Sequence, residues 1–153
     1  LLHAALGWNY VLVTALCGSF LAQFIKVILN LFIFHRFIPE RMWGAGGMPS
    51  SHSATVCAMV VATGRYCGVN SPLFAIAAVL SIIVMYDAMG VRYETGEQAK
   101  VLNRMFTEWM DQGFEQFQLP HGKKLKEMVG HTPIEVVTGA ALGIVLGFAM
   151  PMV

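Results

Sequence analysis

Charged side chains are scarce in this sequence, and that scarcity argues against an ordinary soluble domain. Only 12% of the 153 residues are charged, whereas soluble domains carry about 25%. The three cysteines show no CxxC spacing, so neither a zinc site nor a disulfide framework is indicated, and we expect small buried hydrophobic residues. No basic cluster contains interleaved aromatic residues, so nucleic acid is not an expected partner. Because 56% of the residues are hydrophobic, we expect lipid to cover the chain.

The apolar residues are concentrated in four stretches, residues 10–34, 52–67, 72–86 and 134–153. The first is long enough to span a bilayer, whereas the second and third are short and need tilt, neighbours or polar ends buried in protein. The predicted fold class is an all-α membrane protein, a bundle of about four transmembrane helices plus an amphipathic surface helix. We expect a single membrane-embedded domain over residues 1–153. Spans this short favour a homo-oligomer, although the sequence does not determine the oligomeric state.

Residues 87–133 form the long polar segment, and an amphipathic pattern lies within it. Its apolar members recur at helical spacing: Val101, Leu102, Met105, Phe106, Trp109, Met110, Phe114 and Phe117. A helix of this kind either lies at the membrane surface or packs against the membrane helices as part of the core. The sequence leaves both interpretations open.

Four spans place the loops 35–51 and 87–133 on one side of the membrane, and the turn 68–71 and both termini on the other. The cations of the two-loop side are Arg36, Arg41, Arg92, Lys100, Arg104, Lys123, Lys124 and Lys126. The other side holds only Arg65, at a helix end. The positive-inside rule therefore predicts that both loops are cytoplasmic. The protein is expected in a membrane, the plasma membrane if its source is bacterial.

Two features near the first loop indicate an anion site. Lys26 lies inside the first apolar run, where a charge is costly and indicates function unless the side chain snorkels to the surface. Residues 46–53 read Gly-Gly-Met-Pro-Ser-Ser-His-Ser and open the second run. The free N–H groups and dipole at a helix start favour an anion. An N-cap by Ser50 or Ser51 is the structural alternative, but it does not account for His52 beside them.

Two further pairs of side chains have both a functional and a structural interpretation. Arg92 suits bidentate phosphate recognition, but it also pairs naturally with Asp87, five residues before it. His131 and Glu135 are four residues apart, so a carboxylate there would fix the imidazole tautomer and leave the other nitrogen as a nucleophile. Alternatively, residues 132–135 form a capping box with Pro at the first helical position.

The combination favours phosphate chemistry, because Lys26, His52, Arg92 and His131 all fall near one membrane face. Two cations and a helix N-terminus would hold a phosphate, one histidine would attack phosphorus, and the other would protonate the leaving oxygen. Zinc ligation by the two histidines is the competing chemistry, but the sequence offers no further assignable ligands. We therefore expect neither a metal nor another cofactor.

Four sequence blocks together resemble a known family. They are Gly46-Gly-Met-Pro-Ser-Ser-His-Ser53, Asp87-Ala-Met-Gly-Val-Arg92, Gly96-Glu-Gln-Ala-Lys-Val-Leu-Asn103 and Gly130-His-Thr-Pro-Ile-Glu-Val136. In this order they resemble the divergent branch of the type 2 phosphatidic acid phosphatase superfamily, which includes bacterial acid phosphatases and vanadium haloperoxidases. The resemblance extends from about Phe20 to Phe148.

The resemblance implies roles for the residues of the first two motifs. Lys26 matches the lysine of the first motif, whose Arg-Pro pair is not found at the usual spacing. The second motif, Pro-Ser-Gly-His, appears with Ser51 in place of glycine. Ser50 and Ser51 are then phosphate-binding residues, and His52 is the acid for the leaving group.

The third motif of the superfamily is Ser-Arg, followed by a nucleophilic histidine and an aspartate four residues later. Arg92 matches the phosphate-binding arginine, His131 the nucleophile, and Glu135 stands for the aspartate. Two departures are visible: Val91 replaces the serine, and residues 93–130 make the gap between arginine and histidine far longer than usual.

The resemblance implies a metal-independent lipid phosphate or lipid pyrophosphate phosphatase that works through a phosphohistidine on His131. Asp87 is expected to support Arg92. The implied partners are a phosphorylated lipid substrate and membrane lipids. The alternative is a non-catalytic membrane protein that binds or carries a phosphorylated lipid. Phosphatidic acid, phosphatidylglycerol phosphate and polyprenyl phosphates all fit the site that is predicted.

Overall fold

Five α-helices and no strand occupy the part of the chain that the computed structural model describes, residues 9–34, 47–112, 124–127 and 129–152. They are α1 (Tyr10–Phe34), α2 (Ser51–Cys67), α3 (Pro72–Met89), α4 (Val91–Asp111) and α5 (Pro133–Ala149). The predicted all-α membrane fold is confirmed: α1, α2, α3 and α5 correspond to the four apolar stretches, and α4 is the amphipathic helix.

Helix lengths agree with a thin membrane bundle. Tyr10–Phe32 and the run Pro72–Asp111, which joins α3 to α4, are long and apolar enough to cross a membrane, and Pro133–Ala149 is a shorter apolar helix. α2 and α5 have 17 residues each, which is about 25 Å of helix against a hydrocarbon core of about 30 Å.

Short polar caps set the ends of these helices. Ser50 and Ser71 each accept a hydrogen bond from a backbone N–H in the first turn of α2 and α3. Gly68 ends α2 with a φ of 83°, a left-handed conformation that glycine adopts without strain.

The expectation of buried cysteines is wrong for Cys67, which is exposed because it is the last residue of α2.

In this bundle the buried side chains are mostly small, and many large hydrophobic side chains are exposed. α2 is the central helix and packs against α1, α3 and α5. Its buried residues are mostly Ala, Ser, Thr and Cys. The exposed large hydrophobic residues of α3 are Leu73, Ile76, Val79, Leu80, Ile82, Ile83 and Tyr86. This pattern is typical of membrane helices, whose backbones approach closely while large side chains meet lipid.

A glycine seam brings α5 against α2. A Cβ added at Gly139 or Gly143 would lie 2.3 Å from the backbone carbonyl oxygen of Ser50 or Ala54, respectively. Gly147, one turn further along α5, continues the same seam. The two helices therefore pack backbone to backbone at Gly139 and Gly143, whereas Gly147 makes room for the Val61 side chain.

Arg65 closes the end of the bundle where α1 begins and α2 and α5 end. Its Nη1 donates to the carbonyls of Gly147 and Met150 at 2.7 Å each, and to the Tyr10 hydroxyl at 3.1 Å. A guanidinium at the C-terminus of α5 satisfies carbonyls that lack helical partners and interacts favourably with the helix dipole. The cation that the sequence places on this side is therefore used as a helix cap.

α4 begins at Val91, ten residues before the apolar pattern that predicted it. Its buried residues are Gly96, Ala99 and Asn103. The members of the predicted apolar face that lie exposed are Val101, Leu102, Met105 and Met110. An exposed apolar face agrees with a helix at the membrane surface and not with core packing. Phe114 and Phe117 lie outside the described residues.

Candidate active site

The end of the bundle opposite Arg65 collects the polar residues singled out in the sequence. α1 and α3 end there, whereas α2 and α5 begin there. Two backbone hydrogen bonds connect these ends: the Ser50 N–H donates to the Glu135 carbonyl at 3.0 Å, and the His131 N–H donates to the Ala88 carbonyl at 3.0 Å. The start of α2, the start of α5 and the end of α3 are therefore held in register around one point.

A cavity of about 140 Å³ lies at this point. Its lining residues are His52, Val84, Asp87, Ala88, Arg92 and His131. The rings of His52 and His131 meet edge to face, with centroids 5.9 Å apart. The cavity thus brings together four of the eight predicted site residues from α2, α3, α4 and the segment before α5. Lys26, Ser50, Ser51 and Glu135 lie outside its lining.

His131 is 1% exposed, and its two ring nitrogens have different surroundings. Nδ1 lies 3.2 Å from Oε2 of Glu135, and Nε2 has no hydrogen-bond partner among the described residues. The same carboxylate oxygen accepts the backbone N–H of Thr132 at 3.0 Å. Both predicted contacts of Glu135 are therefore present, because one oxygen caps α5 and also faces Nδ1. Since an ionised carboxylate only accepts hydrogen bonds, this contact favours the tautomer with the hydrogen on Nδ1 and the lone pair on Nε2.

Burial lowers the pKa of the His131 imidazole below its ordinary value. The Glu135 carboxylate opposes this shift by hydrogen bonding and charge, while the positive charges of Lys26 and Arg92 lower the pKa further. Because the pKa of His131 is lowered overall, the ring is mainly neutral near pH 7. A neutral ring with Nδ1–H facing a carboxylate is the form in which Nε2 is nucleophilic.

The first turn of α2 is arranged as a helix cap. Ser50 is completely buried, and its Oγ accepts from the Ser53 N–H at 3.4 Å and from the Ser53 hydroxyl at 3.1 Å. Ser51 is also buried, and its Oγ lies 3.5 Å from Nε2 of Gln23 on α1. The structural alternative for Ser50 is thus present. His52 is exposed and lines the cavity one residue further along.

Lys26 is 2% exposed, although it carries an ammonium group, and its Nζ has no hydrogen-bond partner among the described residues. The side chain does not reach the surface, as snorkelling would require. It passes beside Gly47, where an added Cβ would meet Lys26 Cδ at 3.5 Å, an ordinary van der Waals contact. Glycine is favoured at this position by its φ of 86° and not by lack of space.

Arg92 forms an ion pair with Asp87, as the structural alternative predicted. The pair joins the last turn of α3 to the first turn of α4 across Gly90, and its side chains are 48% and 38% exposed. Both residues nevertheless line the cavity. The guanidinium is therefore held at the mouth of the cavity by a carboxylate, where an entering anion would compete with Asp87 for it.

Comparisons with known proteins agree with a membrane fold. The family model described as "Divergent PAP2 family" matches residues 8–146, nearly the whole chain. This chain belongs to the Divergent PAP2 family. It is also similar to the uncharacterized membrane protein YuiD of Bacillus subtilis (strain 168), with 38% identity over 144 residues, 90% of this chain and 91% of the relative. No solved structure matches it.

One departure from the superfamily pattern, the long gap between Arg92 and His131, is bridged in space. Residues 93–130 contain most of α4 and the return segment, by which we mean residues 124–127, 129 and 130, and both Arg92 and His131 line the same cavity despite that length. In this member of the Divergent PAP2 family, the two residues are neighbours through packing and not through sequence.

Gln23 is a polar residue beside Ser51 that reasoning from the sequence did not assign to the site. Its Oε1 is buried and has no partner in the described part of the chain, and it lies one helical turn before Lys26. A polar residue inside an apolar run was the available signal.

Within the described ranges, no group of three or more His, Cys, Asp or Glu residues is placed to hold a metal ion.

Proposed function

We propose that this protein is an integral membrane phosphatase that hydrolyses a lipid phosphate or lipid pyrophosphate through a phosphohistidine. The observation that carries the proposal is the state of His131: Nδ1 faces Glu135, while Nε2 is unpartnered among the described residues and the ring lines a cavity. Membership of the Divergent PAP2 family and the membrane fold support this reading.

The reaction proceeds in two steps. In the first, the Nε2 lone pair attacks phosphorus, a P–N bond forms, and the P–O bond to the lipid breaks. His52 gives a proton to the departing lipid oxygen, since its ring lies beside that of His131. In the second step, His52 removes a proton from water, the oxygen of that water bonds to phosphorus, and the P–N bond breaks. Inorganic phosphate leaves and His131 is neutral again.

Positive charge and backbone donors stabilise the phosphoryl group during both steps. Arg92 reaches it from the mouth of the cavity, exchanging Asp87 for phosphate oxygens. Lys26 lies outside the cavity lining, but it adds a buried cation whose charge acts on both histidines and whose Nζ has no hydrogen-bond partner among the described residues. Ser50 and Ser51 lie outside the cavity lining, so the start of α2 contributes through the positive end of its helix dipole.

The site is assigned to the cytoplasmic face of the membrane. α4 and residues 124–127 belong to the same end of the bundle as the cavity. Their cations among the described residues are Arg92, Lys100, Arg104, Lys124 and Lys126. Arg65 at the opposite end is bound to α5 carbonyls. The positive-inside rule then favours a cytoplasmic cavity.

Purified protein in detergent, assayed against a panel of lipid phosphates and lipid pyrophosphates, tests the proposal. We expect phosphate release that survives a chelator and is inhibited by vanadate, which imitates pentacoordinate phosphorus. His131→Ala and His52→Ala are expected to lower kcat by about 10²-fold or more. Asn70→Ala, in the turn at the opposite end of the bundle, is the control and keeps wild-type activity.

Three outcomes of this assay count against the proposal. Undiminished activity in either histidine variant removes the role assigned to that residue. Loss of activity in chelator favours the zinc alternative. Binding of a phosphorylated lipid without any phosphate release supports the non-catalytic carrier instead.

A further inference from the structure

The block Gly96–Asn103 of α4 resembles the family but has no role in the mechanism above. Its buried residues, Gly96, Ala99 and Asn103, form one face of α4. Asn103 is 5% exposed. Its Nδ2 donates to the Leu125 carbonyl at 2.9 Å, and its Oδ1 accepts the Leu125 N–H at 2.9 Å. One carboxamide therefore satisfies both backbone groups of a residue that lies outside any helix.

A third hydrogen bond joins Asn103 to the same segment, because Nδ2 also donates to Glu127 Oε1 at 2.8 Å. Two glycines then bring the backbones together. A Cβ added at Gly96 would lie 2.5 Å from the Glu127 carbonyl oxygen, and one at Gly130 would lie 2.3 Å from Tyr93 Cα. The return segment therefore runs antiparallel along α4, from Asn103 back to its first turn.

The return segment ends at His131. Immediately after Gly130, the His131 N–H donates to the Ala88 carbonyl at the end of α3. The imidazole is thus held by three constraints: the Glu135 carboxylate on Nδ1, the Ala88 carbonyl on the backbone, and the packing of the preceding residues against α4. Asn103 supplies the hydrogen bonds of the third constraint and does not line the cavity.

We infer that α4 has a docking surface for the return segment, formed by Gly96, Ala99 and Asn103, and we call this surface the seat. We also infer that Asn103 is a positioning residue for the nucleophile His131. This inference rests on the proposed function. It also gives a physical reason for the long gap between Arg92 and His131: α4 carries Arg92 at its start, and its side seats the segment that carries the histidine. The positions of Arg92 and His131 are then both determined by α4.

An asparagine suits this seat because its side chain offers a donor and an acceptor in the spacing of a peptide group. Asn103→Ala leaves the Leu125 N–H and C=O without their partner. Asn103→Asp keeps an acceptor for the N–H, but it loses both donated hydrogen bonds and places a carboxylate next to Glu127. Both variants are expected to release the segment, and Gln98→Ala, on an exposed position of α4, is the matched control.

Kinetics test the positioning role in the active enzyme. We expect Asn103→Ala and Asn103→Asp to lower kcat by about tenfold to 10²-fold, because small displacements of a reacting group have effects of this size. KM for the lipid phosphate is expected to stay within about twofold, since Arg92 and Lys26 still bind the phosphate. An unchanged kcat, or a rise in KM equal to the fall in kcat, overturns the inference.

Chemical labelling tests the seat without relying on activity. Diethyl pyrocarbonate modifies accessible imidazoles, and mass spectrometry locates the label on each histidine. His131 is expected to react slowly in wild type and Gln98→Ala, and several times faster in both Asn103 variants, while the rate at exposed His52 stays constant. Protection of His131 that survives in both variants overturns the inference, as does a parallel change at His52. If wild type releases no phosphate, the proposed function fails, and the labelling result alone decides the seat.

Discussion

Glu135 performs two tasks with a single carboxylate oxygen. The oxygen accepts the Thr132 N–H at the start of α5 and faces Nδ1 of His131. The spacing of the two residues indicated both tasks, but it presented them as alternatives, since a sequence does not show how many hydrogens reach one oxygen. A carboxylate accepts several hydrogen bonds, and this capacity joins helix capping to the orientation of the nucleophile.

Glu135→Gln separates these tasks at the residue scale. The amide still accepts one hydrogen bond, but its NH₂ also offers a donor to Nδ1, which favours the tautomer that protonates Nε2. We expect kcat to fall by about 10²- to 10⁴-fold, while the free energy of unfolding falls by no more than about 1 kcal/mol. Steady-state kinetics and thermal unfolding in detergent measure the two quantities.

Glu94→Gln is the control for that substitution, because Glu94 lies in the first turn of α4 and is exposed. It makes the same charge change near a helix N-terminus without touching the cavity. Comparable kcat values for Glu135→Gln and wild type would show that the carboxylate does not set the tautomer.

The burial of Lys26 has opposite consequences for stability and function. A buried ammonium without a hydrogen-bond partner among the described residues is costly. Lys26→Met keeps the length and removes the charge. We expect it to raise the free energy of unfolding by about 1 kcal/mol or more, and to lower kcat/KM for lipid phosphates. Lys100→Met, at an exposed ion pair with Glu97, is the control and is not expected to stabilise the protein. A Tm at or below that of wild type contradicts this account of Lys26.

At the element scale, the glycine seam of α5 determines how closely the helices pack. A Cβ at Gly143 would lie 2.3 Å from the Ala54 carbonyl oxygen, and backbone cannot move aside as a flexible side chain can. We expect Gly143→Ala to lower the free energy of unfolding by about 1–3 kcal/mol despite the better helix propensity of alanine. Thermal unfolding in detergent measures this change. Ala141→Val, on the exposed side of α5, adds more volume and is expected to have little effect. Equal stabilities for the two variants would contradict close packing at the seam.

α4 shows which parts of an element are predictable. Its apolar face, beginning at Val101, was visible because large residues recur at helical spacing. Its first ten residues were not, because the buried face of α4 consists of Gly96, Ala99 and, further along, Asn103, which give no apolar signal. The return segment was likewise missed, since its contact with Asn103 joins residues 22 positions apart by hydrogen bonds alone.

At the scale of the whole molecule, the four-span topology was predictable and the cavity was not. The apolar runs that follow Ser50-Ser51 and Ser71-Pro72 predict α2 and α3 closely. Because successive helices alternate in direction, the starts of α2 and α5 then lie at the same end. Which side chains share a cavity depends on close packing, so that Lys26 and Ser50 lie outside its lining while Asp87 and Arg92 line it as an ion pair. Gly and Ser along the seams permit that packing, but they do not specify it in sequence.

The central claim is that His131 becomes phosphorylated during turnover, and its direct test is covalent trapping. The purified protein is mixed with a lipid phosphate that it hydrolyses, denatured rapidly in alkali, where a P–N bond survives, and mapped by mass spectrometry. We predict a phosphoryl group on His131 in wild type and in Asn70→Ala, and none in His131→Ala. Phosphate release without a phosphoryl group on His131, or with the group on another residue, would contradict the account.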